Sequence, residues 1–234
     1  MSFEGNRIVV IIPALNEEKS ISKVVNSIPN IVDEIIVINN GSEDSTAIKA
    51  SISGAKVIHE NRKGYGYACL KGIDYLNKNP PDIVVFLDGD YSDYPEDLEA
   101  VIKPILEKNV QFVIGARVKS LREKGALTPQ QIFGNTLACL LMRLLYKANF
   151  TDLGPFRAIG WKNLVALEMS DKTYGWTIEM QLKVLRRKIK YIEVPVRYRK
   201  RIGYSKVSGT VKGTIMAGYK ILTWIGKFYF SKWK

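Results

Sequence analysis

Short apolar runs rich in β-branched residues alternate with segments of helical pattern through the first half of this chain, and no other feature limits its possible folds as strongly. The runs occupy residues 8–12, 34–38, 55–58, 82–87 and 111–114. Near-continuous apolar strands are typical of a sheet buried on both faces, and helix-length connections imply parallel neighbours. The alternation therefore predicts an α/β fold with a mostly parallel central sheet flanked by helices.

The second half places most of its apolar residues at helical spacing. Helices are expected over residues 129–147, 176–187 and about 208–230, and short strands over residues 156–159 and 189–196. No internal repeat or low-complexity linker separates the two halves. We therefore expect residues 1–206 to form one domain and residues 207–234 to add a C-terminal helix to the same unit.

The positive charge of the chain is concentrated near its C-terminus. The formal net charge is +12, yet residues 183–234 hold fifteen Lys or Arg against one acid, so the remainder is slightly acidic. This asymmetry indicates contact with phosphate groups, whether of nucleic acid, an anionic membrane or a small ligand.

Cysteine usage and the N-terminal residues indicate the compartment. Cys69 and Cys139 lie far apart within apolar stretches, which argues against a disulfide framework and favours a reducing cytoplasm. The N-terminus lacks the charged region and long apolar segment of a secretion signal. Basic residues interrupt the most apolar segments, so none reaches the about 20 apolar residues of a membrane span. We expect a cytoplasmic protein.

Asp88, Gly89 and Asp90 directly follow the most apolar of the predicted strands. Ligands of parallel sheets bind beyond the carboxyl ends of the strands. Two carboxylates separated by glycine can converge on Mg²⁺ or Mn²⁺, which would act as a Lewis acid for a diphosphate leaving group. The alternative is a solvated acidic turn, and the position behind a buried strand favours the metal site.

Two further segments are candidates for phosphate binding. The Gly-Tyr-Gly sequence at 64–66 lacks the spacing and the lysine of a P-loop, so we interpret it as the tight start of a helix. The basic segment 199–206 contains Arg201, Ser205 and Lys206 around a glycine. It can fold over a cleft and bind a diphosphate by charge-assisted hydrogen bonds, with a solvated turn as the alternative.

Asp152 and Glu179 are acids in apolar or aromatic surroundings, where an acid needs a partner or a task. A structural salt bridge, with Arg157 as a candidate partner, competes with a catalytic role for either acid. The only histidine, His59, excludes a multi-histidine metal site, and we interpret it as a strand-end residue.

The last predicted helix is amphipathic. Its apolar stripe comprises residues 211, 215, 218, 222, 225 and 229, and its lysines at 212, 220, 227 and 234 fall on the opposite face. An apolar stripe against a lysine face suits a helix lying in a membrane interface. A helix that packs on its own domain with a solvated lysine face is the alternative.

Taken in order, these motifs resemble the family-2 glycosyltransferases of the GT-A fold, and among them the dolichol-phosphate mannosyltransferase and glucosyltransferase group. The motifs are residues 12–17, 40–44, Asn61 with Gly64 and Gly66, 87–90 with 93–96, 115–117, Asp152 with Phe156 and Arg157, and 203–206. The likeness runs from Arg7 to about Leu222. It implies a Rossmann-like GT-A sheet followed by the amphipathic helix.

The resemblance also implies roles for individual residues. The nucleotide sugar would be bound by Pro13, Ala14, Asn16, Glu17, Asn39, Asn40, Asp88, Gly89 and Asp90. Asp88 and Asp90 would hold the Mg²⁺ or Mn²⁺ ion. The diphosphate would contact Arg201, Ser205 and Lys206, and Arg117 would also bind phosphate. The candidate catalytic residues are Asp152, Glu179 and Arg117.

Three positions depart from the pattern of that family. Asn39 and Asn40 stand where the family usually has aspartate, although an amide oxygen can still accept from a base N–H. Ser92 stands where the lipid-phosphate enzymes often place a metal-binding glutamine. Gln130 and Gln131 lie in a stretch that is often arginine-rich in those enzymes.

We therefore expect metal-dependent, inverting transfer of a hexose from a nucleoside-diphosphate sugar to a polyprenyl phosphate. A phosphate oxygen is already ionised near neutral pH, so no strong base is required. One alternative is a sugar-hydroxyl acceptor in surface polysaccharide synthesis, for which Asp152 and then Glu179 are the candidate bases. The other is a non-catalytic basic module that binds membrane or nucleic acid. The favoured function predicts no nucleic-acid partner and peripheral attachment to the cytoplasmic face of an anionic membrane.

Overall fold

A computed structural model describes residues 5–107, 109–205 and 211–231. Its described residues form one seven-stranded sheet, in the order β3-β2-β1-β4-β6-β5-β7. The strands are β1 (Ile8–Ala14), β2 (Glu34–Asn39), β3 (Lys56–His59), β4 (Ile83–Phe86), β5 (Phe112–Ala116), β6 (Arg157–Gly160) and β7 (Tyr191–Pro195). β6 is antiparallel to β4 and β5, and all the other pairs are parallel.

Eight α-helices connect or follow the strands within the described residues. They are α1 (Ile21–Ser27), α2 (Thr46–Ile52), α3 (Tyr65–Leu76), α4 (Leu98–Glu107), α5 (Pro129–Tyr146), α6 (Trp161–Ala166), α7 (Trp176–Arg186) and α8 (Val211–Phe230). Thr128 caps α5 through a capping box with Gln131, and Pro129 occupies the first helical position, where its missing N–H costs nothing.

Both faces of the sheet are covered, which explains the near-continuous apolar strands. All seven residues of β1 are buried. Val9 and Ile11 point into one hydrophobic cluster, whereas Ile8, Val10 and Ile12 point into the other. Because successive side chains of a strand alternate between faces, a strand with core on both sides needs apolar residues at every position. The predicted α/β fold with a mostly parallel sheet is confirmed.

The C-terminal helix α8 packs on the domain through a different face from the predicted stripe. Ile221, Trp224, Ile225 and Phe228 lie three or four residues apart and contact the core, against α5 and α7. Of the predicted stripe, Ile225 is buried, but Ile215, Leu222 and Tyr229 are exposed. The stripe therefore needs correction: the helix packs on its own domain and still presents apolar side chains outward.

Two lysines of α8 lie beside its packing face. Lys220 contacts Asp171 at 3.3 Å, and the ammonium of Lys227 lies 5.7 Å from the ring centroid of Trp224. They therefore flank the packing face, beside the loop before α7. Residues 206–210 and 232–234 and the side chains of Val211 and Lys212 lie outside the described part of the chain, so the predicted places of Lys212 and Lys234 stay predictions. Among the described helices, none combines the length and the apolarity that crossing a membrane would demand.

Candidate active site

The loops that follow β1 and β2 are bonded to each other at the carboxyl edge of the sheet. Asn16 has a left-handed backbone with φ of 54°, which places its side chain toward the second loop. Its Oδ1 accepts from the backbone N–H of Glu43 at 2.9 Å, and its own N–H donates to Ser42 Oγ at 3.0 Å. The N–H of Glu17 donates to Thr46 Oγ1 at 2.8 Å. Asn16 thus positions these loops, as the first wall of a cleft.

The two asparagines at the end of β2, Asn39 and Asn40, hold the loop after β3 in place. The Nδ2 of Asn40 donates to the carbonyl oxygens of Glu60 and Arg62 at 3.1 and 2.8 Å, and its Oδ1 accepts from the N–H of Gly64 at 2.8 Å. Asn39 is bonded to Nδ1 of His59 at 3.2 Å, at the end of β3. Both amides therefore bind the protein's own backbone or side chains.

Gly64 and Gly66 are required by close packing at the start of α3. A Cβ on Gly66 would lie 2.0 Å from the carbonyl oxygen of Asp171, and one on Gly64 would lie 2.3 Å from that of Lys172. The N–H of Tyr67 donates to the same Lys172 carbonyl at 3.1 Å. The interpretation of this segment as a tight helix start agrees with the structure, and it seats the 171–174 loop against the cleft.

The acidic pair lies where predicted, at the carboxyl end of β4. Asp88 is half-buried and accepts from the hydroxyl of Tyr65 at 3.0 Å. Asp90 is buried, and its Oδ1 accepts from Ser92 through N–H at 2.9 Å and Oγ at 2.5 Å. Burial, with the charge of Asp90, raises the pKa of Asp88 to about 7. The nearby carboxylate of Asp90 thus disfavours the ionised form of Asp88.

Arg201 joins this acidic pair to the first loop. Its Nη1 lies 3.1 Å from Oδ2 of Asp90, and its Nη2 donates to Oε1 of Glu17 at 3.1 Å. The N–H of Ile202 donates to the carbonyl of Asp90 at 2.9 Å. Arg199 is anchored alongside, since its guanidinium stacks on Tyr91 at 3.4 Å from the ring centroid. The basic segment thus packs against residues 88–93 after β4, here called the acidic loop.

These elements enclose a cavity of about 380 Å³. Its walls come from the loops after β1 and β2, the start of α3, the acidic loop, the 171–174 loop and the basic segment. It is lined by Pro13, Ala14, Leu15, Glu17, Asn40, Lys63, Gly64, Tyr65, Ala68, Asp88, Gly89, Asp90, Thr173, Tyr174, Arg201 and Ser205. Of the expected donor-binding residues, the structure brings together Pro13, Ala14, Glu17, Asn40, Asp88, Gly89 and Asp90 here, whereas Asn16 and Asn39 do not line the cavity.

Arg117 and Asp152 form a buried ion pair beside the acidic loop. The Nε and Nη2 of Arg117 lie 2.8 and 2.6 Å from the two carboxylate oxygens, and its backbone N–H donates to Oδ2 at 2.9 Å. Burial alone would raise the pKa of Asp152, but the charge and hydrogen bonds of Arg117 hold that pKa below its usual value. The partner of Asp152 is therefore Arg117, and not Arg157.

Arg157 binds backbone carbonyl oxygens instead of a carboxylate. Its guanidinium donates to the carbonyls of Gly154 and Thr177, and it is fully buried. Burial lowers the pKa of Arg157 to about 10.

Glu179, the second candidate base, is fully buried on α7 and does not line the cavity. Its carboxylate accepts from the N–H of Ser170 at 2.8 Å and of Asp171 at 2.7 Å, and pairs with Lys183 at 2.8 Å. The structure therefore gives Glu179 a structural task, namely to fix the loop before α7. It does not bring Glu179 together with the other candidate residues.

The acidic loop suits a hard divalent cation. Carboxylate oxygens are the preferred ligands of Mg²⁺ and are also suited to Mn²⁺. Asp93 is buried, neither of its carboxylate oxygens has a hydrogen-bond partner among the described residues, and burial with the charges of Asp88 and Asp90 raises its pKa. A bound cation would reduce the electrostatic repulsion among these carboxyl groups.

The described residues contain no group of three His, Cys, Asp or Glu side chains placed to share one metal ion. Asp88 and Asp90 stay the expected metal ligands of the sequence analysis. Lys206, the other expected diphosphate ligand, lies outside the described residues.

Four polar residues that line the cavity were not among the candidate site residues of the sequence analysis: Lys63, Tyr65, Thr173 and Tyr174. Tyr65 stands within the Gly-Tyr-Gly segment, and only the folded structure shows that its hydroxyl reaches Asp88. Thr173 and Tyr174 follow no predicted strand, so no sequence signal pointed to them.

Residues 9–167 of the chain match the family described as "Glycosyl transferase family 2". UDP-N-acetylglucosamine–dolichyl-phosphate N-acetylglucosaminyltransferase of Methanococcus voltae is 31% identical over 238 residues, which cover 92% of each chain. Undecaprenyl-phosphate mannosyltransferase of Micrococcus luteus is 27% identical over 221 residues, covering 88% of this chain and 90% of the relative.

Among solved structures, glucosyl-3-phosphoglycerate synthase of Mycobacterium tuberculosis superimposes with a TM-score of 0.77 at 24% identity. The match covers 97% of this chain and 80% of the synthase, whose crystal structure is a complex with Mn²⁺, UDP and phosphoglyceric acid. The similarity confirms the expected GT-A type of sheet.

Proposed function

The chain belongs to glycosyltransferase family 2, and from that premise we propose that it transfers a hexose from a nucleoside-diphosphate sugar to a polyprenyl phosphate, with a divalent cation and inversion at the anomeric carbon. The family membership removes the non-catalytic module from consideration. The relatives from Methanococcus voltae and Micrococcus luteus are named for dolichyl phosphate and undecaprenyl phosphate, respectively. Their names support the lipid-phosphate class of acceptor.

One observation carries the choice of acceptor. Among the described residues that line the cavity, the only carboxylates are Glu17, Asp88 and Asp90. Glu17 is paired with Arg201, and the two aspartates are the expected metal ligands. Asp152 is bound by Arg117, and Glu179 is buried elsewhere. A sugar hydroxyl needs a base to take its proton, whereas a phosphate oxygen is already ionised. The cavity therefore suits a phosphate acceptor.

The residues of the cavity have distinct proposed roles in a single nucleophilic displacement at the anomeric carbon. The acceptor oxygen bonds to C1 of the sugar while the C1–O bond to the diphosphate breaks on the opposite face. Asp88 and Asp90 would hold the cation, which supplies positive charge to the leaving diphosphate. Arg201 adds charge-assisted hydrogen bonds to the same group. Arg117, held by Asp152, is proposed to position the basic segment, since its guanidinium lies 5.2 Å from the ring centroid of Tyr198, the residue that precedes this segment.

The proposal is tested by identifying the donor and then the acceptor. A thermal-shift panel of UDP, GDP and dTDP, each with and without Mn²⁺, should give one nucleotide that stabilises the protein most, since selective binding stabilises a fold by mass action. A nucleotide sugar with that nucleotide, labelled in its sugar, is then incubated with a short polyprenyl phosphate or with free sugars. We expect the labelled sugar to be transferred to the polyprenyl phosphate only. Label in a free sugar, with none in the lipid, would replace the lipid acceptor by the hydroxyl acceptor.

The surface formed by α5 and α8 is proposed to bind the membrane that holds the acceptor. The two helices contact each other, and Tyr146 of α5 bonds the carbonyl of Ile225. Their outward apolar side chains are Ile132, Phe133, Leu140, Leu144 and Leu145 of α5 and Ile215, Met216, Tyr219, Leu222, Tyr229 and Phe230 of α8. Monomeric proteins rarely expose so many large apolar side chains on two neighbouring helices.

Lysines lie beside this apolar surface. Lys172, Lys220 and Lys227 line a depression of about 460 Å³ next to Trp224. Each lysine near an anionic bilayer contributes about 1 kcal/mol of attraction, which salt screens. The arrangement therefore suits peripheral attachment to an anionic membrane.

We predict that the protein sediments with vesicles containing phosphatidylglycerol at low salt and is partly released at high salt. Replacing Phe133 and Leu144, which are 70% and 69% exposed, by serine should weaken vesicle binding about tenfold or more, because two large apolar side chains no longer enter the bilayer. The matched control is Ile52→Ser, which removes an 81% exposed side chain from α2. Equal vesicle binding by the double variant and the control would contradict the proposed surface.

A further inference from the structure

We propose that Arg201 makes binding of the metal ion depend on the nucleotide donor. In the free protein Arg201 pairs with Oδ2 of Asp90, the oxygen that would bind the cation. It leaves this oxygen only when a nucleoside diphosphate offers a replacement anion. This inference rests on the proposed function, because it concerns the same donor site. Its consequence is that the cation binds weakly alone and tightly together with the nucleotide.

Both carboxylate oxygens of Asp90 are engaged. Oδ1 accepts two hydrogen bonds from Ser92, and Oδ2 lies 3.1 Å from Nη1 of Arg201. A Mg²⁺ ion binds an oxygen ligand at about 2.0–2.1 Å and demands near-ideal geometry. A cation at Oδ2 would therefore meet a like charge on the same oxygen. Asp90 becomes a metal ligand only after the guanidinium moves.

Arg201 is held on Asp90 by more than one contact. Nη2 of the same guanidinium donates to Glu17, and the N–H of the next residue, Ile202, donates to the carbonyl of Asp90. Only 28% of the Arg201 side chain is exposed. Displacing it without a replacement anion would leave a partly buried guanidinium without its two carboxylate partners, which is unfavourable.

A nucleoside diphosphate supplies that replacement. Its phosphate oxygens suit the planar guanidinium, which forms bidentate bonds to phosphate. The Nε of Arg201 is buried and has no hydrogen-bond partner among the described residues, so a donor atom is available to the incoming group. Once Arg201 turns to the diphosphate, Oδ2 of Asp90 is free for the cation.

The two ligands are therefore coupled, and the coupling is reciprocal. The nucleotide raises the affinity for the cation, and the cation raises the affinity for the nucleotide by the same factor. Direct contact between cation and diphosphate contributes to this coupling in any such site. The share that belongs to Arg201 is separated by removing the guanidinium and measuring cation binding without any nucleotide.

The test is a titration of the full protein with Mn²⁺ alone, with free Mn²⁺ measured by electron paramagnetic resonance. Arg201→Gln should bind Mn²⁺ about tenfold more tightly than the unchanged protein, within the usual range of coupling between sites. Arg201→Lys keeps the charge and should stay close to the unchanged protein. Arg197→Gln is the matched control, since Arg197 loses the same charge four residues away, where its partner is Asp97.

A second titration at saturating UDP measures the coupling. The factor by which UDP tightens Mn²⁺ binding should be smaller in Arg201→Gln than in the unchanged protein. Arg201→Met serves if the glutamine variant does not fold. Equal or weaker Mn²⁺ binding by the folded uncharged variants would overturn the proposal. That result leaves UDP-dependent metal binding and sugar transfer in place, so it is distinguishable from a failure of the proposed function.

Discussion

Replacing Asp90 by asparagine is expected to lower the rate of sugar transfer by roughly 10³-fold while leaving the fold intact. The substitution keeps the size of the side chain and removes one of the two carboxylates that would hold the cation. A cation at a diphosphate leaving group contributes several kcal/mol to the transition state, and about 1.4 kcal/mol corresponds to a factor of ten in rate. Losing about 4 kcal/mol therefore gives the expected reduction.

The measurement combines initial rates with thermal stability. The unchanged protein should gain more stability from UDP with Mn²⁺ than from UDP alone, and Asp90→Asn should lose that difference. Asp74→Asn is the matched control, because Asp74 is an exposed acid on α3 outside the cavity. Full activity of Asp90→Asn, or of the unchanged protein after exhaustive chelation, would refute the assignment of the metal site.

The second large effect concerns stability. Asp152→Ala should lower the free energy of unfolding by about 3–5 kcal/mol, because it leaves the guanidinium of Arg117 buried without its partner. The two side chains of this pair are only 7% and 11% exposed. Chemical denaturation of the unchanged and variant proteins measures the difference.

Asp97 offers a control with the same set of contacts. Its carboxylate receives the backbone N–H, Nε and Nη2 of Arg197, the same three donors that Arg117 directs at Asp152. Arg197, however, is 48% exposed. Exposed pairs contribute at most about 1 kcal/mol, so Asp97→Ala should cost far less than Asp152→Ala. A similar cost for both variants would show that burial does not govern the Asp152 pair.

The pH dependence of stability follows from the lowered pKa of Asp152. A carboxyl group whose folded pKa lies below its unfolded value, about 3.9, stabilises the folded state above that unfolded value. The contribution is lost as the pH falls through the folded pKa. The stability difference between the unchanged protein and Asp152→Ala should therefore shrink on acidification below about pH 4.

A paired substitution separates a structural role of Asp152 from a catalytic one. Replacing Arg117 by Met together with Asp152 by Leu removes both charges, and such replacements of buried pairs are often neutral or stabilising. The double variant should recover most of the stability that Asp152→Ala loses. Retained transfer in this stable double variant would show that the pair is purely structural, whereas loss of transfer would assign the pair a role in the reaction.

The sequence by itself determined the sheet and the place of the acidic pair. The near-continuous apolar runs required a sheet buried on both faces, and Asp88 and Asp90 had to lie at its carboxyl edge because they follow β4 directly. Local periodicity and position along a strand are properties of contiguous residues, so a sequence displays them. The antiparallel insertion of β6 between β4 and β5 left no such sign, because its direction depends on the path of the intervening chain.

Only the tertiary structure decided the partners of the buried charges. Asp152 pairs with Arg117, 35 residues away, and Arg201 reaches Glu17 across 184 residues. Glu179 binds the loop before α7 and is thereby removed from the cavity. The same holds for α8, whose packing face is selected by the shape of α5 and α7. The sequence shows that a buried charge and an amphipathic helix each need a partner. Which residue becomes the partner depends on the tertiary structure, because folding brings distant residues within a few ångströms.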